Sequence, residues 1–294
     1  PIETFSPTVR PSEFDPDRAN VLNDITTFLG DTSGIAGLIK DVDARASHDL
    51  GTVSAFQILN EENVGPNMTL SFANSIKAVK TRDVVDGLAL TTGSLKLFQP
   101  KADVSASLIT VAGRLGKFMV AGSFNDDSIL NISGPNGLLN RFSVTDDFDG
   151  QINVDGRAGR IDVGGDFAGA LKIDGSNPKG LALRTLNVGG TLTEGAFYVD
   201  GHVGALSFAN TLGTADEALV INGNLAKIRV GTDRAIHGSD FALDLSVDGD
   251  LKAFEAFGAV TGDIFARGDV RKFMVTADPV TAGTDILAGK IDIL

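Results

Sequence analysis

The chain has 294 residues, 43% of them apolar, and a formal net charge of −13. The apolar share is enough for a sizeable core and argues against an acidic disordered chain; the negative balance argues against nucleic acid and anionic membrane surfaces as partners. Cysteine is absent, which excludes a disulfide framework and thiolate metal sites, and apolar residues never run near the roughly 18–20 needed to span a bilayer. The start at Pro1 rather than Met predicts that a leader or upstream portion has been removed, which favours an exported protein.

Residues 1–50 carry no repeat and are read as an N-terminal arm with a capping helix. Pro7 and Pro11 punctuate the arm, and Asp15-Pro16-Asp17 supplies an N-cap, a first-turn proline and an acid at the positive end of the helix dipole. Val21, Leu22, Ile25, Phe28 and Leu29 follow at helical spacing until Gly30, and a weaker helix is expected over 35–42. The helix is expected to close the open end of a stacked body; docking of a partner is the other reading.

From Gly51 to Leu294 a repeat takes over. Residues 157–175 show the unit: short alternating pieces (Ile161 and Val163, Phe167, Leu171 and Ile173) between Gly or Asp-Gly corners. One apolar position recurs as Phe56, Val79, Phe98, Phe118, Phe142, Ile161, Leu186, Leu206, Ile228, Phe254 and Phe273, a period of roughly 22 residues. Three residues earlier stand Val53, Ile76, Leu95, Leu115, Leu139, Ala158, Leu183, Val203, Leu225, Leu251 and Val270, all aliphatic. Two residues later the column is apolar from Val120 to Val275, and Thr81 and Pro100 break it in the early coils.

A second strand closes each unit on a small turn, as in Ile132-Ser133-Gly134, Val154-Asp155-Gly156, Ile173-Asp174-Gly175, Val199-Asp200-Gly201, Ile221-Asn222-Gly223 and Val247-Asp248-Gly249. A third, shorter apolar position lies between them at Phe124, Phe148, Phe167 and Leu192. Three pieces and three corners predict a three-sided, right-handed parallel β-helix. About eleven coils at about 4.8 Å each would run about 50 Å. One coil cannot bury its own inward side chains, so stability must come from stacking.

Several columns carry charge. Asp155, Asp174, Asp200 and Asp248 share one corner, interrupted by Ser133, Asn222 and Arg267. Carboxylates at adjacent levels suit Ca²⁺, but Ser and Asn in the same place favour a turn chosen for backbone geometry, and the spacing of nonapeptide Ca²⁺ rolls is missing. Lys117, Arg141, Arg160, Lys227 and Lys272 form a basic column with Thr185, Ala205 and Ala253 between them. It suits an acidic polysaccharide, and is expected instead to be a solvated face balanced by nearby Asp. His48, His202 and His237 share no equivalent position, and no nucleophile elbow, P-loop or zinc motif occurs. No catalytic, cofactor-binding or metal residue is assigned. The final strand, Lys290 to Leu294, has no capping helix after it, so the expectation is either that the chain has been truncated or that this end meets another molecule.

The phrase Gly223-Asn224-Leu225-Ala226-Lys227-Ile228-Arg229-Val230 resembles Gly-cornered β-solenoid repeats of large secreted bacterial surface proteins of adhesin type. The resemblance covers about 51–294 and implies an extracellular or cell-surface role without catalytic residues. The expectation is therefore a structural β-solenoid that self-assembles through its ends into a filament, sheath, layer or matrix. The alternatives are a polysaccharide lyase or hydrolase, which needs pairs such as Asp162 with Arg160, and a non-assembling adhesin module.

Overall fold

The computed structural model describes residues 43–46, 56–58, 69–76, 78–81, 84–175, 180–193, 195–211, 218–231, 240–276 and 286–291. The helices expected over 15–30 and 35–42, and Val53, lie outside them. Among the described residues there is no helix, and the chain winds as an all-β parallel solenoid of about eight turns.

Alternation of apolar and polar side chains gives every piece one buried and one wet face, and parallel pairing stacks the buried faces. The predicted columns are the observed ones. Each landmark pairs with the next, from Phe56↔Val79 through Phe118↔Phe142 to Phe254↔Phe273, without a slip in any of the ten steps. The aliphatic column three residues earlier is continuous from Ile76↔Leu95 to Leu251↔Val270. Leu115, Leu139, Leu225 and Leu251 accordingly share one interior row, each fully buried.

The closing strands stack as Val111, Ile132, Val154, Ile173, Val199, Ile221, Val247 and Ala266. This ladder reaches back to Asp43–Ala46, which pairs with 69–72, so the segment read as the N-terminal arm already contributes a strand. The third piece is a narrow column of single bridges linking Val104, Phe124, Phe148, Phe167 and Leu192. Its brevity is physical: the chain is turning on both sides of one inward residue.

Phenylalanine fills two columns of the early coils. The rings of Phe98, Phe118 and Phe142 stack at 4.5 and 5.2 Å between centroids, with planes 15° and 13° apart. Phe124 stacks on Phe148 at 5.6 Å and meets Phe118 edge-on at 77°. Offset and edge-on pairs add about 0.5–1.5 kcal/mol each beyond burial. Thr81 and Pro100, which interrupt the sequence pattern, are both buried and keep the register by pairing with each other.

Corners set how closely coils approach. Gly156 has φ +149°, and a side chain there would run into the carbonyl of Gly137 in the coil before. Only glycine satisfies both conditions.

Candidate functional site

Outward columns hold all the chemistry the fold presents. In the corner that carries the acidic column, Asp174 pairs with Asp200 and Asp200 with Asn222. Two of the four carboxylates, Asp174 and Asp248, are paired with a cation. Lys172 lies 3.0 Å from Asp174, and its ammonium is held above its ordinary value by the Asp174 hydrogen bond and charge. Arg267 bonds Asp248 at 2.9 Å, so the cation that interrupts the column neutralises its neighbour. Asn222 Nδ2 donates to Tyr198 Oη at 2.8 Å. Among the described residues no group of three or more His, Asp or Glu side chains converges as a metal site.

On the basic column, Lys117 pairs with Arg141 and Arg141 with Arg160. Asp162 joins three levels. Arg160 Nε donates to its two oxygens at 2.7 and 2.6 Å, Arg141 from the coil before lies at 3.4 Å, and Asn187 Nδ2 from the coil after donates at 2.8 Å. The pair Arg160 and Asp162, singled out for chemistry, is thus bonded to itself and to both neighbours.

Glu255 repeats the device further along. Lys227 and Lys272, from the coils on either side, each place Nζ 2.7 Å from one of its oxygens. The Glu255 side chain is only 11% exposed. The hydrogen bond from Lys227, then that from Lys272, holds its carboxyl below the usual glutamate value despite burial. Cations from adjacent levels therefore clamp a carboxylate in the next column.

A further set of side chains escapes the sequence reading. At six of the third-piece positions the residue just before (Asp103, Ser123, Asp147, Asp166, Asn210, Asp240) accepts, through its side chain, the backbone N–H of its equivalent in the next coil. Ser123 N–H donates to Asp103 Oδ1 at 2.8 Å, and Asp147 N–H to Ser123 Oγ at 3.3 Å. Asp166 and Thr191 N–H groups donate at 2.7 Å to Asp147 and Asp166. Asp240 N–H donates to Asn210 at 3.0 Å, and Ala259 N–H to Asp240 at 2.8 Å. The corner carbonyls are committed to the coil before, as Ser123 O accepting Val104 N–H and Asp147 O accepting Phe124 N–H show, and a short polar side chain serves the coil after instead.

The other corners use the same solution. Asn224, Asp250 and Asp269 N–H groups donate to His202 Nδ1, Asn224 Oδ1 and Asp250 Oδ1 at 3.0, 2.8 and 3.1 Å. Asp263 N–H donates to Asp244 at 2.7 Å. His202 is thus a rung of a corner ladder, whereas His48 and His237 fall outside the described residues. The readable signal is Gly, then Asp, Ser or Thr, then an apolar residue, as in Gly122-Ser123-Phe124 and Gly165-Asp166-Phe167. A side chain at Gly165 would collide with Asp147 Oδ1.

Comparison of the chain with family models, with curated proteins and with solved structures found no match.

Proposed function

We propose that this chain is a structural, extracellular β-solenoid that assembles end to end into a filament, sheath or layer. One observation supports the reading above others: among the described residues each coil stacks on the next through the same columns. The landmark column, the aliphatic column and the closing column run through the described coils in one register. A coil surface that accepts the next coil of its own chain is, by that fact, shaped to accept a coil of another copy. Parallel backbone pairing would give such a junction strength, and aligned apolar columns would give it register.

In this reading the winding is right-handed, as parallel crossovers are, three-sided, and about eleven coils long, with the helix over 15–30 as the cap that an incoming copy displaces at that end. Some of the outward carboxylates and cations serve the winding itself, as Asp162 and Glu255 illustrate by bridging adjacent levels. Electron microscopy of the native chain is the test. Rods much longer than one solenoid, sharing its diameter, are expected; discrete single particles at all concentrations would sink the assembly reading.

A further inference from the structure

We infer that solenoids of this protein also associate side by side, the basic face of one copy lying against the acidic corner of the next. In the coils from Leu95 to Val188 the opening face carries five exposed cations, Lys96, Lys117, Arg141, Arg160 and Arg184. Asp162 is the one carboxylate on that face over 95–100, 115–120, 139–144, 158–163 and 183–188. The corner that follows, over 121–128, 145–150 and 164–169, holds Asp126, Asp127, Asp146, Asp147, Asp149 and Asp166, all exposed, and no Lys or Arg. Among the described residues none of these six carboxylates has a cation within ion-pairing distance, and neither Lys96, Lys117 nor Arg184 has a carboxylate.

The two stripes are built by the same winding, so they rise by the same step. A second copy with its axis parallel, turned about that axis until its acidic corner faces the basic face, therefore brings the three carboxylate levels opposite three of the five cation levels. No other occupant satisfies both stripes. A polyanion would cover the cations and leave the acidic corner unopposed, and a polycation would do the reverse. Burial, and then the neighbouring Asp147, Asp126 and Asp166, already hold the Asp149 carboxyl above its ordinary value. The chain's overall negative charge opposes association only over the screening distance, about 10 Å at 0.1 M salt, whereas apposed pairs act at contact. Because the contact joins two different surfaces, it is heterologous, and repetition gives a ring or an open row of solenoids.

Sedimentation velocity of the full chain tests this in about 0.01 M and about 1 M salt, where charges reach about 30 and about 3 Å. Association is expected in the first and a loss of about tenfold or more in the second. The variant K96E/K117E/R184E, altered at cations without internal partners, should lose its lateral rows in dilute salt, any end-to-end rods remaining, with an unchanged circular dichroism spectrum. So should D126K/D127K, and mixing the two should restore lateral association because each then supplies what the other lacks. A wild type that never lies side by side in dilute salt, or does so regardless of salt, overturns the proposal, as does lateral association that survives either variant. Capture of polygalacturonate by copies that remain apart overturns it too. Microscopy separates this from end-to-end assembly: single long rods that never lie side by side sink the lateral contact alone, and short rods in lateral rows sink the end-to-end junction alone.

Discussion

The coils from Leu95 to Ile173 and those from Val203 to Val270 solve the same packing problem with different materials. The earlier coils fill the landmark and third-piece columns with Phe98, Phe118, Phe142, Phe124, Phe148 and Phe167, all fully buried. The first of the later coils place Leu206 and Ile228 in the first column and Thr211 in the second before Phe241 and Phe254 restore aromatic filling, and the connections over 212–217 and 232–239 are longer. Thr211 is completely buried, yet polar. Its hydroxyl donates to the Asp240 carbonyl at 2.9 Å and accepts from Ala242 N–H at 2.8 Å, pinning the chain as it returns from the longer connection. The difference teaches that the column demands a filled interior and closed hydrogen bonds, and that apolar area yields where a loop must be spliced back.

The comparison breaks most violently in the aromatic half. Phe142→Asp or Ile161→Asp buries a charge at 0% exposure with no partner, and several coils should unfold together, seen as a collapsed or absent circular dichroism melt. Phe142→Ala should cost about 3–5 kcal/mol in denaturant titration, against about 2–5 kcal/mol for Leu206→Ala, because truncating Phe142 also removes one stacked and two edge-on ring contacts. Gly156→Ala comes next. A methyl group at φ +149° against the Gly137 carbonyl should cost about 1–3 kcal/mol and lower the melting temperature.

Thr211→Val sharpens the comparison from the other side. Valine fits the space and removes the hydroxyl, leaving the Ala242 N–H and the Asp240 carbonyl short of a partner, so a loss of about 1–3 kcal/mol is expected. Thr211→Ser should keep the bonds and lose far less. A Val variant as stable as wild type would show that apolar filling alone governs the later coils. Asp166→Ala, which strips one rung from the corner ladder by removing the acceptor for Thr191 N–H, should cost about 1 kcal/mol and accelerate hydrogen exchange at Thr191.

The interior was legible because burial enforces it. A one-residue slip would turn a whole strand inside out, so apolar columns spaced along the sequence leave little choice of register. Ile161, Leu186 and Leu206 were placed correctly without aromatic help. Thr81 and Pro100 looked like flaws because hydropathy does not register a hydroxyl or an imide that is buried with its bonds satisfied. The corner ladders were harder to see: Asp147 and Asp166 resemble ordinary turn formers, and only the next coil's N–H, nineteen or more residues away, reveals what each one does. The pairings Arg160–Asp162 and Lys227–Glu255 were half legible. The cations formed a column on paper, but their carboxylates sit in the adjacent column, and adjacency across levels is a property of the winding.

The smallest expected effects contrast two carboxylates, one from each half. Glu255 is held below its ordinary value by Lys227 and Lys272, so its folded form releases the proton more readily than its unfolded form. Its contribution is therefore present above the unfolded glutamate value and lost as pH falls through the lower folded one. Asp149 is shifted the other way, first by burial and then by Asp147, Asp126 and Asp166. Its ionisation weighs against the folded state above its raised value, and protonation relieves that as pH falls. At neutral pH, Glu255→Gln should lower the melting temperature and Asp149→Asn should raise it slightly, each measured by circular dichroism against wild type. In acid both differences should shrink: wild-type Asp149 becomes neutral like its Asn replacement, and wild-type Glu255 loses its charge. The Asp149 difference should fade as pH falls through its raised value, and the Glu255 difference as pH falls from the ordinary glutamate value through its lowered one, with opposite signs. If at neutral pH Glu255→Gln raises the melting temperature and Asp149→Asn lowers it, the assignment of a clamped carboxylate to the later coils and an uncompensated one to the acidic corner is reversed.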